Sequence, residues 1–119
     1  MDGFTDTLYN HQADLFITAV EEGLGAVESE ALEDVDLSDG VLTVEVCPAG
    51  GKTMYFVINK QAPRRQLWLS SPVSGPHHYD FQQGRWGSDR DGHFLEEKLE
   101  QELTALLGVR VVIQPQQEE

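Results

Sequence analysis

Between Phe4 and about Gly23, apolar residues recur with a helical period. Phe4, Leu8, Leu15, Phe16, Ala19 and Val20 gather on one side, and Asp6, Asn10, Asp14 and Glu21 on the other. The spacing predicts a first helix over about 4–23, ended by Gly23 and Gly25. The pattern then changes period. An acidic segment from Glu28 to Asp36 leads into a first edge strand or extended loop, and Asp39-Gly40 is a turn signal. From Val41 to Cys47 the residues alternate, with Leu42, Val44 and Val46 inward and Thr43 and Glu45 outward. Pro48 to Gly51 reads as a hairpin loop, Met54 to Ile58 and Gln66 to Ser70 as strands. Tyr79 to Phe81 and Arg85-Trp86 flank a tight turn at Gln82-Gln83-Gly84, so the strands fall within 34–86. A second helix is predicted over about 94–107 on the stripe Leu95, Leu99, Leu103, Leu106 and Leu107, capped by Gly108. Val109 to Ile113 reads as a last short strand, and 114–119 as a polar tail.

Strands joined by short loops pair antiparallel. Two helices with one apolar stripe each then cover one face of such a sheet. The expected fold is an α/β (α+β) two-layer sandwich. Its N- and C-terminal helices pack on one face of an antiparallel sheet of about five to seven strands. One domain over 1–119 accounts for the length.

Charge sharpens this picture. The net charge is −13, and residues 1–51 hold twelve carboxylates with no Lys or Arg. Four of the eight basic residues then fall between Lys52 and Arg65. Such a surface repels nucleic acid and anionic membranes and attracts cations or a basic protein partner. It also predicts a fold under self-repulsion, so that salt, bound cations or mild acid would raise its stability. The acidic start is unlike a mitochondrial presequence, so any targeting segment is expected to be absent from this chain. A single cysteine, Cys47, leaves no internal disulfide.

Two regions can carry chemistry. In the strand from Gln66 to Ser70, Leu67 and Leu69 must face the core, which turns Trp68 toward the face without helices. With Asn59, Lys60, Gln61, Arg64, Arg65 and Gln66 nearby, Trp68 has the surroundings of a protein-binding hot spot. Cross-strand packing on its own sheet is the alternative. The acidic half offers hard oxygen ligands for iron, dispersed over several weak sites rather than one cage. His11 and Asp14 stand three apart on the first helix and could share a cation. Adjacent His77 and His78 point to opposite faces of a strand, so one metal cannot be gripped by both. Gly51-Lys52-Thr53 lacks the leading glycine of a phosphate loop, and no serine stands in a hydrolase frame.

The run Asn59-Lys60-Gln61-x-Pro63-x-x-Gln66-Leu67-Trp68-Leu69-Ser70-Ser71-Pro72-x-Ser74-Gly75-Pro76 is similar to the central signature of frataxins. Asp39 to Val44, Tyr79-Asp80-Phe81 and Asp91-Gly92 resemble other family segments in the same order, and the Ser-Ser-Pro ending resembles the eukaryotic, mitochondrial branch. The resemblance implies a frataxin-like fold and weak binding of iron, ferrous or ferric, on an acidic ridge. It also implies docking on a complex of cysteine desulfurase and iron–sulfur scaffold, with stimulation of sulfur transfer and delivery of iron in the mitochondrial matrix. Oxidation of ferrous iron on the ridge is the rival activity. A monomer is expected, with metal-dependent oligomers as the alternative. The expected metal residues are Asp6, His11, Asp14, Glu21, Glu22, Glu30, Glu33 and Asp34. Those expected at the partner are Asn59, Lys60, Gln61, Arg64, Arg65, Gln66, Trp68 and His78.

Overall fold

A computed structural model describes residues 4–114. Helix α1 (Asp6–Gly25) is followed by strands β1 (Leu32–Ser38), β2 (Val41–Val46) and β3 (Met54–Gln61). After a short 3-10 turn (Ala62–Arg64) come β4 (Gln66–Ser71), β5 (Gly75–Gln82), β6 (Arg85–Ser88) and helix α2 (Leu95–Leu107). The strands form a six-stranded antiparallel meander in chain order, β1 to β6. Two of its hairpins turn on two-residue loops with positive φ, at Asp39-Gly40 and Gln83-Gly84. That geometry matches the twist of the flanking strands.

Helix α1 starts where Thr5 Oγ1 accepts the Leu8 N–H at 3.2 Å, a cap worth ~1 kcal/mol. Helix α2 ends at Gly108, whose φ of 73° suits glycine. Both helices bury their stripes on the face of the sheet that carries Leu42, Val44, Phe56, Ile58, Leu67, Leu69 and Tyr79. The buried stripe of α1 is rotated from the one the sequence suggests. Tyr9, Ala13 and Ile17 lie in the core, while Leu8 and Leu15 are only partly covered. The Tyr9 hydroxyl, carried into the core with its ring, donates to the Gln66 carbonyl at 2.7 Å. Burial pushes its pKa up to about 12.

Val109 to Ile113, expected as a strand, joins no ladder. The segment is tied to α2 instead, by Val111 N–H to Thr104 Oγ1 at 3.0 Å and Ile113 N–H to Glu100 Oε2 at 2.7 Å. Val111 and Ile113 are buried, and the Val112 carbonyl lies against Gly23 of α1. The segment therefore bridges the two helices. Most of the expected polar tail, 115–119, lies outside the described residues.

Candidate docking face and acidic surface

Strand register decides which side chains share a face. Trp68 pairs with Asn59 on one side and His78 on the other, and Gln66 pairs with Gln61 and Asp80. Asn59, Gln61, Gln66, Trp68 and His78 therefore stand together on the side of the sheet away from the helices. Trp68 and His78 are stacked, with ring centroids 4.1 Å apart and planes 14° apart. The indole Nε1–H donates to Gln66 Oε1 at 2.8 Å. Trp68 stays partly exposed, so it both packs across its sheet and remains available to a partner.

Lys60, expected at the same surface, is not there. It pairs with Leu67, which faces the core, so its stem runs under α1 and its Nζ meets Asp14 Oδ1 at 2.9 Å. Consecutive strand residues cannot share a face, and Lys60 stands between Asn59 and Gln61. Arg65 is also turned away. It holds the start of α1, through Nε to Asp6 Oδ1 at 2.9 Å and Nη1 to the Phe4 carbonyl at 2.7 Å. Arg64 is exposed on the 3-10 turn. These contacts also correct the charge argument. The base-free half of the sequence is not base-free in space, because Lys60 and Arg65 fold back onto Asp14 and Asp6.

The expected metal residues are spread out. Asp6, His11, Asp14, Glu21 and Glu22 lie along α1, with Glu21 half-buried and the others exposed. Glu30 lies in the following turn, and Glu33 sits at the irregularity that opens β1. Asp34 pairs with Glu45, on the same sheet face as Trp68 but at the β1 edge. Among the described residues, no group of three or more His, Cys, Asp or Glu is arranged to hold one metal ion. An iron atom would meet carboxylates in ones and twos.

The signature run has a structural share. Ser71 Oγ donates to Glu102 Oε1 at 2.6 Å and accepts the N–H groups of Val73 and Ser74, both at 3.0 Å. Gly75 follows with φ of 88°, which glycine adopts freely. His77 is buried on the helix side, with Nε2 2.8 Å from Ser74 Oγ and Nδ1 unpartnered. Burial, then the nearby His93, lowers its pKa. Two residues that sequence reasoning missed also belong to the face. Asp80 was legible from strand alternation, two places beyond His78. Asp89, in the loop after β6, had no local signal.

The chain was compared with known proteins. A Frataxin-like domain matches residues 2–109. A mitochondrial frataxin-like protein of Leishmania donovani is 52% identical over 91% of this chain and 59% of its own length. The mitochondrial frataxin homolog of Saccharomyces cerevisiae is 40% identical over 80% of this chain and 54% of its own. The chain thus spans little more than half of these relatives. Among solved structures, frataxin from Psychromonas ingrahamii superposes with a TM-score of 0.76 at 28% identity, covering 92% of this chain and 97% of that one. Trimeric yeast frataxin complexed with ferrous iron superposes at 0.68 with 35% identity, covering 91% of this chain and 90% of that one. With most of its length matching the domain and its two-layer architecture shared with these structures, the chain belongs to the frataxin family.

Proposed function

We propose that this protein activates iron–sulfur cluster assembly in the mitochondrial matrix. It docks through the uncovered sheet face on a complex of cysteine desulfurase and scaffold and stimulates sulfur transfer. The observation that carries this reading is Trp68, partly exposed yet pinned on one edge by Gln66 and under one face by His78. An aromatic ring held rigid among amides loses little freedom on binding and suits a protein hot spot.

Iron enters as cargo. The carboxylates of α1, the following turn and β1 offer it weak single and paired contacts, with affinity about micromolar or poorer. Asp34 shares the sheet face of Trp68, which supports delivery of iron beside the docked partner. A ferrous complex of a yeast relative supports iron binding, and its trimeric state supports oligomers of this chain. Titration of purified desulfurase–scaffold complex with this protein, with and without iron, tests the reading. Stimulation that saturates is expected, and none at any concentration would contradict it.

A further inference from the structure

A polar chain supports Trp68 from within its own face. Its indole N–H is taken by Gln66 Oε1, and the Gln66 amide nitrogen donates to Asp80 Oδ1 at 3.0 Å and Asp89 Oδ2 at 3.2 Å. Both amide hydrogens are used, which fixes the amide with nitrogen toward the carboxylates and oxygen toward the indole. Gln66 is only 8% exposed, so losing a partner there would be costly.

The two carboxylates arrive differently. Asp80 lies opposite Gln66 in the β4–β5 ladder. Asp89 comes from the loop after β6, and its own N–H anchors it to the His78 carbonyl at 2.9 Å. Behind it, Ser88 Oγ accepts the N–H groups of Arg90 and Asp91 at 3.0 and 3.4 Å and shapes the loop. The oxygen that Asp89 offers to Gln66 also lies 3.9 Å from His78 Nδ1. One oxygen thus faces both supports of the indole: the amide at its edge and the imidazole under its ring.

We infer that Asp89 is a positioning residue for the docking face, fixing Trp68 through Gln66 and His78. This rests on the reading of Trp68 as the docking anchor. Without Asp89, the Gln66 amide nitrogen keeps only Asp80 and the amide is held less firmly, and His78 loses its facing carboxylate. The indole then samples more orientations, and docking weakens without loss of the stimulated rate at saturation. Asparagine at 89 would keep an oxygen for Gln66 and remove only the charge.

The test uses Asp89→Ala, Asp89→Asn and Trp68→Ala in the intact protein. Each is titrated into the desulfurase–scaffold complex for half-maximal concentration and plateau rate. The Trp68 indole N–H signal is followed by NMR in the free protein. Asp89→Ala is expected to move the indole signal and raise the half-maximal concentration about tenfold with the plateau kept. Asp89→Asn is expected to restore both. If Trp68→Ala abolishes docking while Asp89→Ala leaves signal and titration unchanged, the positioning role is wrong and the docking face stands. If Asp89→Asn keeps the wild-type indole signal yet docks as poorly as Asp89→Ala, the charge acts on the partner directly, and positioning is again wrong. If Trp68→Ala docks normally, the docking reading itself falls, and the role of Asp89 with it.

Discussion

Trp68 and His78 lie face to face across β4 and β5, 4.1 Å apart at 14°. A cross-strand aromatic pair of this kind contributes ~0.5–1 kcal/mol to the fold. It also shields one face of the indole, which stays partly exposed. His78→Ala is therefore expected to lower stability by about that amount and to weaken docking less than loss of the indole does. Urea unfolding and titration of desulfurase stimulation check both, and a variant unchanged in both would show the stack to be incidental.

The contact between Gly23 and Val112 gives a test of opposite sign to helix propensity. Alanine in a helix interior is ordinarily better than glycine by ~1 kcal/mol. Here a Cβ on Gly23 would stand 2.6 Å from the Val112 carbonyl oxygen, too close to be tolerated. Gly23→Ala is expected to displace the C-terminal segment and destabilise the fold by ~1–3 kcal/mol, the usual effect of overpacking. Thermal unfolding decides, and a more stable variant would mean that the segment does not lock the helices.

Lys60 separates charge pairing from docking. Its ion pair with Asp14 leaves the carboxylate 65% exposed, so solvent screens it, and Lys60→Gln should cost only ~0.5–1 kcal/mol. Because Lys60 faces the helices, desulfurase stimulation should stay as in the parent. Added salt should still raise the melting temperature, since the chain carries a net charge of −13 and the ion pairs made by Lys60 and Arg65 engage only Asp14 and Asp6. A strong loss of stimulation would return Lys60 to the interface.

Acid should act through His77. Burial and the facing His93, Lys98 and Arg90 lower its pKa below the ordinary 6.5, against an opposing effect of Glu102. The unfolded chain then binds the proton more readily than the folded one. The stabilisation is fully present above about pH 6.5 and declines as pH falls from there toward the folded-state value. This is opposite to the rise expected from carboxylate crowding alone. Melting temperatures at pH 7.5 and 5.5, for the parent and His77→Asn, provide the check: the fall should be shallower in the variant. Equal falls would assign it to other groups.

What was legible in the sequence was whatever repeats locally. The alternation Leu67, Trp68, Leu69 placed the tryptophan, Asp39-Gly40 placed a hairpin, and the leucine stripe placed α2. Features that depend on distant partners were not legible. Gln66 and Asp89 meet across 23 positions, and Arg65 reaches back 59 to Asp6. Val109 to Ile113 has a strand's composition, but its N–H groups meet Thr104 and Glu100 of α2 and its Val112 carbonyl lies against Gly23 of α1. Lys60 has the composition of the docking face around it, but strand alternation sets its side chain on the helix side with Leu67.

The central claim is that the face around Trp68 docks on the desulfurase–scaffold complex. Its most direct test is the titration of that complex with Trp68→Ala, folded by NMR, against the parent protein. The half-maximal concentration should rise by about 30-fold or more, corresponding to the loss of ~2 kcal/mol expected of a hot-spot aromatic. An unchanged titration from a folded Trp68→Ala protein would contradict it.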